Sequence, residues 1–409
     1  MKKALVLILL SAIAITKFSA CSGTTETNMT GELTIAAFNP MGEISPLLER
    51  AARIFESQND GVTINIIVYD NWDTYAQIIN TALLSGGGED IISTGHIQWQ
   101  RLADVGRLVD MNDKLVFPPG EFYQNVLDAF LYNDRRYVVP LGFGMQAFHA
   151  NALSHDENPS VLTLESLVAI SNAHPGTLLF QTGTGLGGTP LSIAMMYFEL
   201  DFNKYVDIAN RAVNINNDGF ISLLESVQSI AGNIRWAQVG EKGLFMEEFM
   251  HSPAMAMNGI VDYSDLIIPT NDDGGGLVWT RYSLGINANS PNQEIAARFI
   301  QFLLSDDIQA SPEMLHTPVN RVAAVERSRM TMDTVRAFPG YDGITSAICI
   351  ENNIIMFNHF ADRMATIGIT DPMIRDFVIA EMRRFFRGEV TAPQAASNLQ
   401  IRLTTYLNE

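Results

Sequence analysis

The chain has 409 residues, 47% of them hydrophobic and only 17% charged, which is enough apolar material for more than one buried core. Its 45 acidic residues against 26 basic ones give a net charge of −19, a field that repels nucleic-acid phosphates and anionic lipid and so excludes both as partners. Two cysteines, Cys21 and Cys349, leave no room for a disulfide framework.

At the start, Lys2 and Lys3 precede an apolar run from Ala4 to Ile15, and the small Ser19 and Ala20 follow. This is the layout of an export signal over residues 1–20, and the run is too short to span a bilayer comfortably. "FSAC" is similar to a bacterial lipobox, which makes Cys21 the lipidated first residue of the mature chain; plain cleavage near Ala20 is the other reading. Residues 21–31 are polar, small and without period, as suits a flexible tether.

Short apolar strands then alternate with amphipathic helices. "ELTIAAF" (32–38) reads as a strand, and Ile44, Leu47, Leu48, Ala51, Ala52 and Phe55 recur at helical spacing. "VTINIIVYD" (62–70) is a second strand, "TYAQIINTALL" a second helix ended by glycine, and "DIIST" (90–94) a third strand. This β-α-β-α-β order predicts a parallel sheet covered by helices, the α/β class. Further strands are expected near 177–181 and 254–260, with helices near 220–231 and 293–304. Two helices close the chain: one stops at Gly388, and the other starts with Thr391 as N-cap and Pro393 in its first turn.

Four motifs carry possible chemistry. "SGGGEDIISTG" (85–95) has glycines between helix and strand, the reverse of a phosphate-binding loop, and its Glu89 and Asp90 would repel phosphate; it reads as a helix end feeding a buried strand. "NINNDGFISLLE" places Asn214, Asn216, Asp218 and Glu225 on calcium-loop positions, although a turn at Asp218-Gly219 followed by a helix explains the same letters. The seven histidines form no HxH or HxxxH pair, and no GxSxG elbow appears, so no metal, cofactor or catalytic residue is expected. Trp72, Trp99, Trp236 and Trp279, with Phe143, Tyr263 and Tyr282, stand near strand ends or in loops. Aromatic faces there suit the C–H face of a sugar ring, and packing explains each of them equally when taken singly.

From about residue 32 onward the chain resembles the extracellular solute-binding proteins of bacterial ABC-type sugar importers, the maltose-binding-like group. The resemblance is carried by pieces in the family's order: "LLERAARIFESQNDGVTINIIV", "TALLSGGGEDIIST", "ADVGRLVDMNDKL", "RRYVVPLGFGMQAFHAN", "SPAMAMNGIVDYS", "SLGINANSPNQEIAARFIQFLLSDDIQ", "HTPVNRVAAVE" and "FRGEVTAPQAASNLQIRL". It implies a periplasmic-binding-protein-like (type II) fold, two α/β lobes joined by crossing strands around a ligand cleft that closes on its ligand. The lobes would be residues 32–143 plus 284–328, and 147–280 plus 332–409.

Carried over position by position, the resemblance implies a cleft lined by Asn39, Thr94, His96, Gln98, Phe143, Met145, Thr184, Asp262, Tyr263, Trp279, Arg281 and Tyr282. Val261 and Gly144 depart from the family, standing where some sugar binders have an aromatic and an acid. The implied function is a non-enzymatic, monomeric, lipid-anchored receptor on the outer face of the membrane, binding a carbohydrate (an oligosaccharide for preference) for an ABC permease. Two alternatives stay open: a non-sugar solute such as a polyamine, peptide or glycerol-phosphate, and a surface glycan-degrading enzyme.

Overall fold

The structure, a computed structural model, describes residues 29–40, 42, 44–150, 161–181, 189–235, 242–250, 266–280, 282–336 and 347–409. Cys21, Thr184, Trp236, Asp262, Tyr263, Arg281 and the strand expected near 254–260 lie outside them.

The first unit runs β1 (Gly31–Phe38), α1 (Ser45–Gln58), β2 (Val62–Tyr69), α2 (Trp72–Leu84) and β3 (Ile91–Ser93), as the alternation predicts. β1 pairs in parallel with β2 on one side and β3 on the other. Flanked on both edges and covered on both faces, β1 buries Ile35 to Phe38 without a break, whereas the edge strand β2 keeps only alternate residues inside at its start. All six apolar positions of the α1 face are buried, and Phe55 meets Phe299 edge-on at 5.3 Å.

Asp90 ties this unit together. Its Oδ2 accepts from the backbone N and Oγ1 of Thr34, both at 2.7 Å, and its Oδ1 accepts from Ser290 Oγ at 2.5 Å. The glycines before it end α2: Gly86 has φ +88°, and Gly87 N donates to Ala82 O at 2.9 Å.

The chain continues through α3 (Trp99–Asp104), α4 (Gln124–Asp128), β4 (Val139–Pro140) and the long β5 (Gly142–Ala150). α5 (Leu164–Ala173), β6 (Phe180–Gln181), α6 (Pro190–Leu200) and α7 (Phe202–Tyr205) lead to the short pair β7 (Val206–Asp207) and β8 (Ala212–Val213). α8 (Asp218–Ser229), β9 (Phe245–Met250), β10 (Leu266–Ile267), β11 (Gly276–Trp279) and β12 (Ser283–Ile286) come next. After α9 (Gln293–Leu303), α10 (Asp306–Gln309), β13 (Thr317–Pro318), α11 (Arg321–Arg336) and α12 (Ala347–Ala361), the chain ends in β14 (Met364–Ile367), α13 (Pro372–Phe386) and α14 (Ala392–Asn408).

Two larger sheets result. One has the order β2-β1-β3-β12-β4; the other has β14-β11-β5-β9-β6, with β10 and β13 also pairing β5. The chain passes from the first sheet to the second through Leu141 alone, and returns from β11 to β12 through residues 280–282. These two passages are bonded to each other: Leu141 N donates to Tyr282 O and Thr280 Oγ1 to Gly142 O, both at 2.7 Å. Gly142 is required there, because a Cβ would sit 3.0 Å from Thr317 O, 3.2 Å from His316 Cβ, and against Met314 Cε.

β5 divides its side chains between two apolar cores. Phe143, Met145 and Ala147 pack into the core of the first sheet and Phe148 into that of the second. α12 leans on the first core through Phe357 and Phe360, and Tyr123 Oη donates to Asn358 Oδ1 at 2.6 Å. At the C-terminus, Gly388 N donates to Phe385 O with φ +73°, and Thr391 and Gln394 form a reciprocal capping box, so both helix boundaries fall where their signals stand.

The calcium-loop reading of 214–225 is corrected by its local fold. α8 already starts at Asp218, capped by Asn217 Oδ1 accepting from Phe220 N at 2.9 Å. Helix from the fifth position onward cannot wrap an ion, and Asp218 and Glu225 are both exposed on it.

Candidate functional site

Three strands, β3, β11 and β14, end against one cavity of about 410 Å³ between the two sheets. Ligands of open α/β sheets bind beyond such carboxyl ends. From the first unit come Thr94, Gly95 and His96 after β3, with Trp99, Phe130 and Ser283. The opposite wall is Glu199 of α6, Val278 and Trp279 of β11, Thr280, Ile367 at the end of β14 with Gly368 to Thr370 after it, and Pro372 and Arg375 of α13.

The first wall is rigid. Thr94 is fully buried, its N donates to Ser283 O and its Oγ1 to Ser283 Oγ, each at 2.8 Å, which fixes the end of β3 to the start of β12. His96 stands with its ring 4.7 Å from that of Phe38, at an interplanar angle of 66°. Trp99, 2% exposed, separates this cavity from a smaller one of about 260 Å³ lined by Gln100, Tyr132 and Asp207.

The second wall holds the cavity's carboxylate. Glu199 is buried, with Arg375 Nε 3.5 Å from its Oε1. Burial pushes the Glu199 carboxyl above its ordinary range, and the Arg375 charge only partly opposes this.

Beside the cavity, α3 is bonded directly to the last two helices. Gln98 Nε2 donates to Tyr406 Oη at 2.8 Å and to Asp371 Oδ1 at 3.3 Å, and Tyr406 Oη donates to Asp371 Oδ2 at 3.0 Å. Thr370 Oγ1 donates to Gln100 Oε1 at 3.1 Å, and the Arg101 guanidinium lies 4.8 Å over the Tyr406 ring. Asp371 also caps α13, accepting from Met373 N and Ile374 N; burial raises its carboxyl, against the pull of those donors. Tyr406 is pushed up to about 12 by burial and the Asp371 charge.

Of the residues expected to line the cleft, the structure brings Thr94, His96 and Trp279 to this cavity. Gln98 lies beside it in the bridge just described. Four are placed elsewhere, for identifiable reasons. Asn39 spends its amide on the start of α1, donating to Ser45 Oγ and accepting from Ile44 N, both at 2.8 Å. Phe143 and Met145 are 0% exposed, on the face of β5 turned into the first core, where Phe143 meets Tyr123 at 5.1 Å. Tyr282 is buried edge-on against His316 at 4.6 Å.

Sequence reasoning missed Glu199 and Arg375. The signal for Glu199 was available, since it is the only charged residue in "PLSIAMMYFEL". Arg375, in an ordinary mixed helix, gave none.

Among the described residues, no three His, Cys, Asp or Glu side chains group as for a metal ion, and no helix is long and apolar enough to cross a membrane. A comparison with curated proteins finds no match. Among solved structures, the cyclic α-maltosyl-1,6-maltose binding protein of Arthrobacter globiformis is similar at 14% identity and a TM-score of 0.63, with 93% of this chain and 99% of that one covered. The GacH receptor of Streptomyces glaucescens, solved unliganded and with acarbose, gives 14%, 0.58, 93% and 99%. The maltose/maltodextrin-binding domain MalE of Bdellovibrio bacteriovorus, bound to maltotriose, gives 15%, 0.56, 93% and 100%. At such identity these likenesses show the fold, which is that of the periplasmic-binding-protein-like proteins, two α/β lobes around a cleft. The family model described as bacterial extracellular solute-binding protein matches residues 50–324, and the chain therefore belongs to the bacterial extracellular solute-binding proteins.

Proposed function

We propose that this protein captures a carbohydrate in the cavity between β3, β11 and β14 and presents it to an ABC-type permease, without transforming it. The observation that carries the reading is the make-up of that cavity. It combines a half-buried indole, Trp279, with hydroxyls and a buried carboxylate, Glu199, beside the exposed Arg375, the apolar face and sparse polar groups that a sugar ring requires. Acarbose, cyclic maltosyl-maltose and maltotriose as ligands of proteins with the same fold support it.

Thr94, His96 and Trp279 are proposed as ligand contacts, and Thr184, Asp262, Tyr263 and Arg281 as further candidates. The lobes are proposed as 32–143 with 284–328, and 147–280 with 332–409. The mature protein is proposed to be a monomer tethered to the outer face of the membrane through a lipid on Cys21.

The test is a thermal-shift screen of the exported chain against neutral and charged mono- and oligosaccharides, polyamines, short peptides and glycerol-phosphate, followed by calorimetry and chromatography of the bound ligand. Stabilisation by a sugar that is recovered unchanged supports the proposal. Stabilisation only by another solute class, or recovery of shortened glycans, overturns it.

A further inference from the structure

The Glu199–Arg375 pair does not look like a pair that serves only to hold α6 to α13. Residues Ile193 to Leu200 of α6 are all buried, so apolar packing against Ile374 and Val378 already fixes the two helices. A carboxylate set into such a face is unfavourable unless it is closely paired and its remaining lone pairs are satisfied. On α13 itself, Glu381 shows what a satisfied acid looks like: Arg384 Nη1 reaches both its oxygens at 3.0 Å, and Asn398 Nδ2 adds a third contact at 3.2 Å. Glu199 has instead one long contact, Arg375 Nε at 3.5 Å to Oε1, and among the described residues nothing donates to its Oε2.

That second oxygen lies beside Gly368, in a side chain that is 7% exposed. A Cβ on Gly368 would lie 3.3 Å from Oε2, so the glycine keeps the approach clear, and both Glu199 and Gly368 line the cavity. The carboxylate accepts about four hydrogen bonds and the guanidinium donates five. Most of this capacity is unused here, and the Arg375 side chain is 46% exposed toward its surroundings.

We infer that Glu199 and Arg375 are the specificity-determining anchor of the cavity and recognise two neighbouring hydroxyls of a neutral sugar ring. Glu199 accepts from one hydroxyl, and Arg375 donates to the oxygen of the second. The pair is neutral in sum, so neither an ammonium nor a carboxylate on the ligand gains a net counter-charge there to offset its own desolvation. Val278, Trp279, Ile367 and Ile369 supply the apolar surface beside the pair. This rests on the reading of the cavity as a carbohydrate site, and it narrows that reading to uncharged sugars held by a vicinal diol.

The experiment is calorimetric titration of the exported chain with glucose, galactose, maltose, cellobiose and xylobiose, against glucosamine and glucuronate as charged counterparts. A neutral sugar should bind, and Glu199→Gln should weaken it by about 30-fold, the worth of a charge-assisted hydrogen bond. One monodeoxy analogue of that sugar should bind parent and Glu199→Gln alike, because the hydroxyl that the carboxylate reads is missing. A purely structural Glu199 would lower the affinity for every analogue equally, and that outcome overturns the inference. Gly368→Ala, which leaves both charges in place, should cost affinity through its added methyl and keeps the test standing if Glu199→Gln folds poorly. Equal binding of the neutral sugar by parent, Glu199→Gln and Gly368→Ala overturns the inference while leaving the carbohydrate reading intact. So does preference for glucosamine or glucuronate. Failure of every sugar, with binding of another solute class, overturns the carbohydrate reading itself.

Discussion

The side-chain amide of Gln98 donates to the carboxylate of Asp371 at 3.3 Å across 273 positions of sequence, and Tyr406 joins both. The bridge links the start of α3 to the start of α13 beside the proposed ligand cavity. Tyr406→Phe removes its central hydroxyl and should cost about 1 kcal/mol of stability. Small-angle scattering of the ligand-free variant should report a more open particle, with weaker ligand binding. Unchanged scattering together with unchanged affinity would show that the bridge does not restrain the two units.

Gly142→Ala should destabilise the protein by about 1–3 kcal/mol through overpacking. The new methyl group would be driven toward Thr317 O and His316 at the passage between sheets. Urea denaturation measures the loss; a variant as stable as the parent would mean that β13 shifts without cost.

Asp90→Asn keeps the shape of the side chain but sets an NH₂ group against donors on one side. The parent carboxylate accepts from Thr34 and Ser290 at 2.5–2.7 Å. A cost of about 2–3 kcal/mol is expected, the penalty of a buried mismatched polar group. Amide exchange in β1 and β3 should rise first. Protection unchanged there would assign the restraint to packing alone.

Burial raises the Glu199 carboxyl, which fixes the sign of two pH effects. The unfolded chain ionises near the ordinary value of 4.5 and the folded chain higher, so the contribution of Glu199 disfavours the folded state once the pH has risen through that window. It disappears as the pH falls below 4.5. Ligand hydroxyls that donate to the carboxylate favour its ionised form, so affinity should rise with pH over the same window. Titration in a His96→Asn background removes the cavity's imidazole from the comparison. Glu199→Gln should flatten the affinity profile, and an undiminished pH slope in that variant would place the titrating group elsewhere.

Cys21→Ser should move the protein from the membrane fraction to the soluble exported fraction. If the serine variant stays as firmly cell-associated as the parent, the proposed lipid on Cys21 is wrong.

The regular part of the fold was legible where one periodicity dominates. α1 shows all six of its apolar positions, and α14 shows both its cap and its apolar stripe, because a half-exposed helix must write its buried face into the sequence. The site was legible only in part. Phe143 and Met145 sit on β5, buried along nearly its whole length, so nothing in the strand says which residues meet the cavity and which the core. Asn39 has the right chemistry and the right place after β1, yet the unsatisfied start of α1 claims its amide. Glu199 went unread because an apolar helix suggests packing, although the cost of burying a charge makes its one acid the informative letter.

The bonds between the two chain passages have a mechanical consequence. Leu141 and Tyr282, Gly142 and Thr280 make the connection a short two-stranded ribbon, cross-braced along its length. Such a ribbon yields to torsion far more readily than to sliding, because sliding must break the braces and twisting need not. Its returning strand starts at Trp279, so a load taken up by that indole is delivered as torque to β12, between β3 and β4 of the opposite sheet.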